Sequence, residues 1–149
     1  MKPSKSSNKR LKYCIQKHHA RHLHYDLRLE LNGVAKSWAI PKEPSCEEGV
    51  KRLAVQVDDH ELSYIDFEGT IPEGEYGAGT VELWDTGFWE PESIREKKIV
   101  AHIYGTRLKG RFTLLNFKGT NWLFFKSQES KGKKEDKKRE RMGSNTMTI

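Results

Sequence analysis

Nowhere in its 149 residues does this chain string together the ~18 apolar residues that a membrane-spanning helix needs. Its basic N-terminus also lacks the apolar segment that follows in a secretory leader. The expectation is a cytoplasmic protein with no membrane partner. Cysteine is scarce: only Cys14 and Cys46 are present, in no CxxC spacing, which disfavours a zinc ribbon or a dithiol centre and suits ordinary thiols in a reducing compartment. No internal repeat, P-loop or GxGxxG occurs, and Gly74, Gly77 and Gly79 of GEYGAG miss the nucleotide-binding patterns. These glycines read as turns that shape a rim. Helical periodicity is nearly absent too, and only Ser93 to Lys98 reads as a helical turn.

What is present is a single-domain length with a modest core. Hydrophobic residues make up 35% and charged residues 32%, but they are unevenly spread. Residues 1–12 carry five Lys/Arg and no acid, and residues 126–141 carry eight basic and four acidic side chains. The net charge of +6 therefore lives in the ends, while the body is mildly acidic. We read 1–12 as a flexible basic arm, 13–127 as the folded domain and 128–149 as a Lys-rich, disordered tail. Basic ends of this kind suit a polyanion through counterion release, and equally a solvated terminus.

The folded part is a succession of short strands. Lys12 to Lys17 alternates and delivers the chain to His18. Leu23 to Leu31 alternates again, Asn32-Gly33 is a two-residue hairpin signal, and Val34 to Ile40 returns as the antiparallel partner with the polar face displayed. Pro41 to Gly49 is a loop. Arg52 to Asp58 is a half-buried strand with a polar face, followed by an ordered loop to Thr80 held by Tyr64, Phe67 and Ile71. Val81 to Trp84 and Gly87 to Trp89 are short strands around Asp85-Thr86; Ile99 to Tyr104, Gly110 to Asn116 and Asn121 to Phe125 complete the set. This pattern predicts an all-β protein, a small closed or partly open β-barrel or a sandwich.

Chemistry concentrates in His18 to Glu30, HHARHLHYDLRLE. Strand alternation puts His24, Asp26, Arg28 and Glu30 on one face, and His18, a turn or short loop earlier, can supply a third donor. Two imidazoles and a carboxylate make an open divalent-metal site suited to manganese, iron, cobalt or zinc; the plainer reading is surface histidines. Arg28 beside them suits a phosphate through its guanidinium fork, or else pairs with Glu30 or a cross-strand acid. His60 is a further ligand, a general acid near neutral pH or a capping residue. Tyr64 offers a hydroxyl to a phosphate or simply packs.

The segments HARHLHYDLRLE, NGVAKSWAIPKEPS, RLAVQVDDHELSYIDFEGTIPEGEYGAGTVELWDTG, RLKGRFTL and NWLFFK together resemble the phosphoesterase domain of bacterial DNA ligase D and its free-standing archaeal relatives. The resemblance covers roughly Ile15 to Lys126, with H-x5-H-x-D-x-R, DHxLxY and GTIPEGEYGAGTV in the family's order. It implies a small β-barrel with a hydrophilic groove and a metal-dependent 3′-end-healing activity on DNA primer-template ends. A 3′-terminal ribonucleoside and then a 3′-phosphate would be removed, leaving a 3′-hydroxyl for repair. By motif position it implies metal ligands at His18, His24 and Asp26, with manganese (Mn2+) the usual activator and Co2+ or Zn2+ as substitutes. It implies phosphate contacts at Arg28, His60 and Tyr64, with Lys42 and Arg52 as further basic contributors. Family members often carry a longer arm with active-site contributors, whereas seventeen residues precede His18 here. No polymerase or ligase segment is recognisable, so separate repair ligase and polymerase partners are expected. Two rivals remain at this level: a non-catalytic nucleic-acid-binding β-barrel with a structural metal, and a cupin-like metal oxygenase, against which Arg28 and Lys42 argue.

Overall fold

In a computed structural model, which describes residues 10–128, the chain is built almost wholly of antiparallel strands. They are β1 (Leu11–His19), β2 (Leu23–Leu31), β3 (Val34–Ile40), β4 (Arg52–Glu61), β5 (Gly69–Ile71), β6 (Gly79–Arg95), β7 (Lys98–Tyr104), β8 (Lys109–Lys118) and β9 (Asn121–Lys126). One 3-10 turn, Leu62–Asp66, lies between β4 and β5. No helix among the described residues is long and apolar enough to cross a membrane. Neighbouring strands run β1-β2-β3-β4-β9-β8-β7-β6, and β6 pairs back onto β1. The ring is thus closed, as the sequence pattern predicts, with β5 added outside it along the start of β6. β1 already begins at Leu11, inside the segment read as an arm; the remaining arm residues 1–9 and the tail from 129 onward lie outside the described residues.

The Asn32-Gly33 hairpin forms as expected, with both residues at positive φ, 55° and 82°, which the two-residue turn requires. It fixes the register Leu31↔Val34 through Tyr25↔Ile40. Three local expectations are corrected. Ser93 to Lys98 is not a helical turn: Ser93, Ile94 and Arg95 end β6, and Lys98 opens β7 across a tight turn, with Arg95 opposite Lys98. Asp85-Thr86 does not interrupt two strands, because β6 runs unbroken for 17 residues. Asp85 is instead buried and accepts hydrogen bonds from the Tyr13 hydroxyl (2.8 Å) and the backbone N–H groups of Thr106 (2.8 Å), Arg107 (2.9 Å) and Leu108 (2.9 Å). A turn-forming residue in sequence is here the anchor of another turn. His18, finally, stands within β1, directly across from His24.

The barrel interior is filled by Tyr13, Ile15, Leu27, Leu29, Trp38, Trp89, Phe112 and Phe124 with their neighbours. The indoles of Trp38 and Trp122 meet edge to face, centroids 5.7 Å apart. Beside them β4 contributes small or polar groups: Ala54 is wholly buried in that core and Gln56 accepts the Trp122 indole N–H at 3.2 Å. Consequently the apolar parity of β4 points outward, with Leu53 exposed and Val55 and Val57 half-buried, opposite to a simple reading of its alternation.

The polar face of the β2–β3 hairpin is not displayed either. Asp26, Arg28, Glu30 and Ser37 are all buried. Residues 62–78, between β4 and β6, lie over this outer face of the barrel: Ile65 packs with Cys14 and Ala35, and the side-chain amide of Gln16 donates to the Tyr64 and Phe67 carbonyls at 2.8 and 3.2 Å. Strands β1 and β2 are therefore buried on both faces, one against the apolar interior and one against a polar cluster.

Candidate active site

Cross-strand register assembles the cluster. His18 lies opposite His24, Gln16 opposite Asp26 and Cys14 opposite Arg28; across the hairpin Asp26 faces Ala39, Arg28 faces Ser37 and Glu30 faces Ala35. The small β3 side chains leave room for the large polar ones of β2. His60 arrives through an irregularity: between Ala35 and Ser37 of β3, β4 spends one residue more, so that Ser37 pairs with Val57 and Ala35 with His60. An extra residue in one strand switches the face on which later side chains emerge. Without it Asp59, not His60, would stand on the site face.

His18 Nδ1 lies 3.4 Å from Asp26 Oδ2, and His24 Nε2 lies 3.3 Å from Asp26 Oδ1. The other ring nitrogens are committed: His18 Nε2 is 2.8 Å from the Gly77 carbonyl and His24 Nδ1 is 2.9 Å from the His22 carbonyl. A carbonyl only accepts, so each of those nitrogens carries the proton and the nitrogen turned to Asp26 carries a lone pair in the neutral ring. Backbone groups thereby orient both imidazoles, as outer partners of metal ligands do. Three donor atoms within 4.8 Å of one another converge. The two nitrogens approach different oxygens of the carboxylate, and two imidazoles with one carboxylate are a ligand set that divalent transition metals take. The residues present fit a divalent cation.

Burial pushes the Asp26 carboxyl up, but the hydrogen bonds that the His18 and His24 rings donate to it when protonated, with the charges of His24 and Arg28, outweigh it and hold the group far below the usual carboxylate range. Asp26 is an anion. Its hydrogen bond in turn raises the His24 imidazole, against a smaller opposing effect of burial.

Arg28 is buried beside this carboxylate. Its Nε donates to Gln16 Oε1 at 2.7 Å, and Nη1 donates to Ser37 Oγ at 2.6 Å and to His60 Nδ1 at 3.1 Å. Nη2 has only a loose approach to Asp26 Oδ2, 3.7 Å, so donors remain there for an anionic ligand. Glu30, the alternative ion-pair partner, accepts the Lys12 backbone N–H instead. The guanidinium lies over the Tyr64 ring at 4.9 Å; that ring stacks on Phe67 and meets His60 at 4.9 Å. Burial lifts the Tyr64 phenol above its ordinary value, so it stays a donor. Burial and then the Arg28 charge lower His60.

The structure thus brings together His18, His24, Asp26, Arg28, His60 and Tyr64. It does not bring Lys42 and Arg52 into contact with them. Those two, with Pro41, Lys51 and Leu53, line a separate hollow of about 270 Å³ beyond the strand ends, where Arg52 donates to the Glu43 carbonyl at 2.7 Å. Sequence reasoning missed Gln16, Ser37 and Gly77. Extending the first strand by two residues would have placed Gln16 on the His18 face, and counting back from Asn32-Gly33 would have set Ser37 opposite Arg28. Nothing local marks the Gly77 carbonyl.

Comparison with known proteins bears on this geometry. The profile of a family described as the DNA Ligase D 3′-phosphoesterase domain matches residues 16–116. The multifunctional non-homologous end joining protein LigD of Pseudomonas aeruginosa is 46% identical over 145 residues, covering 91% of this chain and 17% of that protein. The LigD proteins of Mycobacterium tuberculosis and Mycolicibacterium smegmatis are 41% and 42% identical, covering 82% and 80% of this chain and 17% of their own lengths. The chain therefore spans about a sixth of these relatives. On the extent of the profile match and on 46% identity over 91% of its length, the chain belongs to the DNA ligase D 3′-phosphoesterase domain family.

Proposed function

We propose that the protein is a metal-dependent phosphoesterase that heals DNA 3′ ends, removing a 3′-terminal ribonucleoside and then a 3′-phosphate to leave a 3′-hydroxyl for a repair polymerase or ligase. The observation that carries this reading is the convergence of the His18 Nδ1, His24 Nε2 and Asp26 donors with the Arg28 Nη2 group 3.7 Å from the same carboxylate. A cation and a phosphoryl oxygen can share that point.

His18, His24 and Asp26 would hold the ion, manganese by family resemblance, and a bound divalent cation supplies Lewis-acid neutralisation of a phosphoryl oxygen. The residues of the chain do the rest. Arg28, fixed by Gln16 and Ser37, binds a second phosphoryl oxygen and stabilises charge developing there. His60 accepts from Arg28 through Nδ1, so its remaining donor is Nε2–H, which hydrogen-bonds the phosphate or the leaving oxygen. Tyr64 offers its protonated hydroxyl to the same group. Lys42 and Arg52, in their basic hollow, grip the backbone farther from the scissile bond.

The test is a manganese-titrated reaction on a 5′-labelled primer-template ending in one ribonucleotide, with a matching 3′-phosphate end alongside. Stepwise conversion to a 3′-hydroxyl supports the reading. DNA binding with no product under any divalent metal would make the protein a binding barrel with a structural ion.

A further inference from the structure

Tyr76 stands 93% exposed, more than any other large apolar side chain described. The other described tyrosines are engaged: Tyr13 with Asp85, Tyr25 with Trp84, Tyr64 with Phe67 and Tyr104 with Glu90. An exposed ring on a loose loop would carry little meaning. This loop is held. Residues 72–78 form the tip of the β5–β6 hairpin, closed by Glu75 N–H to the Pro72 carbonyl at 3.2 Å and Ala78 N–H to the Glu75 carbonyl at 3.1 Å. At Gly79, φ is +127° and an added Cβ would collide with the His19 carbonyl oxygen, so only glycine lets the hairpin press onto β1. The next anchor is Gly77, whose carbonyl takes the His18 N–H at 2.8 Å.

Tyr76 therefore sits one residue, ~3.8 Å between Cα atoms, from the group that orients a candidate metal ligand. Its loop also carries Glu73 and Glu75, both exposed, which repel a phosphodiester backbone. What the loop can offer a strand end is an aromatic face, and what it can accept is a base. Aromatic side chains on a fixed backbone take bases without sequence preference, because every base has a π-face.

We propose that Tyr76 is the stacking platform for the nucleobase of the nucleotide whose 3′-phosphate occupies the Asp26–Arg28 site. The basic side of the site takes the phosphate and the acidic rim takes the base, which sets the direction in which a strand enters. The inference rests on the phosphoesterase reading, and its test separates the two.

The full chain is given a primer-template whose terminal 3′-phosphorylated residue is 2-aminopurine, and quenching of that base is followed on binding. Wild type, Tyr76→Phe and Tyr76→Trp quench; Tyr76→Ala does not. In turnover, Tyr76→Ala raises KM for an ordinary 3′-phosphate end roughly tenfold with little change in kcat, and leaves KM for an abasic 3′-phosphate end unchanged. Quenching and KM in Tyr76→Ala equal to wild type would overturn the proposal. So would equal losses on ordinary and abasic ends, since those report a displaced His18. Wild type that cleaves neither end refutes the phosphoesterase reading, and the quenching series still decides the stacking.

Discussion

The Arg28 guanidinium donates to Nδ1 of His60 at 3.1 Å, across the sequence distance that separates β2 from the end of β4. A histidine used as an acceptor by an arginine is held neutral: burial and then the Arg28 charge lower His60 from its ordinary value of about 6.5. The sign of the pH effect follows. As pH falls through about 6.5 the unfolded chain takes up a proton at this position before the folded one does, so the unfolded state binds more protons and stability drops. Below the lowered folded value the loss stops growing. Urea midpoints measured between about pH 7 and pH 5 should fall less in His60→Gln than in wild type. An identical slope in both would show that Arg28 does not depress this histidine.

Among the described residues, Asp26 is the carboxylate that lies between two imidazoles, those of His18 and His24. Asp26→Asn keeps its shape and removes its charge. Wild type should gain thermal stability on titration with manganese, since a ligand that binds only the folded state stabilises it. The variant should gain none and lose at least ~100-fold in turnover. A variant that retains the metal-induced shift in Tm would take Asp26 out of the ligand set.

Gln16 joins three parts of the site: it accepts from Arg28 and donates to two carbonyls of the covering segment. Gln16→Leu leaves a buried charged donor unpaired, at a cost of about 1–3 kcal/mol, and frees Arg28 to tilt. The expected signature is a raised KM for 3′-phosphate ends with an unchanged midpoint for metal binding. Loss of metal binding instead would place its role at the histidines.

Asp85 of β6, paired with Ile15 of β1, gathers four hydrogen bonds from Tyr13 and the Thr106–Leu108 turn. Asp85→Asn turns an acceptor into a donor facing N–H groups, and should cost about 2–4 kcal/mol in chemical denaturation. Turnover below the lowered Tm should stay near wild type, because no side chain of the site touches Asp85. Undiminished stability would mean that the Thr106–Leu108 turn holds itself.

The hairpin at Asn32-Gly33, the β2 alternation and the motif histidines were legible because each rests on neighbours in sequence: turn conformation, pleat parity and residue type. Which face was inside was not. In β2 both parities are buried, and alternation alone does not tell a solvated polar face from a covered one. In β4 Ala54 and Gln56 stand opposite the indoles of Trp122 and Trp38 and the valines face outward, an arrangement set by cross-strand register that no window on β4 contains. The extra β4 residue that delivers His60 depends on pairing with β3, and Asp85 reads as a turn until the turn it serves, twenty residues on, is in place.

Because β1 and β2 carry the core on one face and the site on the other, the two are built from alternate letters of the same words. Ile15 and Leu27 can drift among apolar residues of similar size while Gln16 and Asp26 stay fixed, and the reverse also holds. A shift of register by a single residue in either strand would exchange the two sets and end both at once. This barrel can thus vary its filling freely, but the strand register along β1 and β2 is as constrained as a ligand.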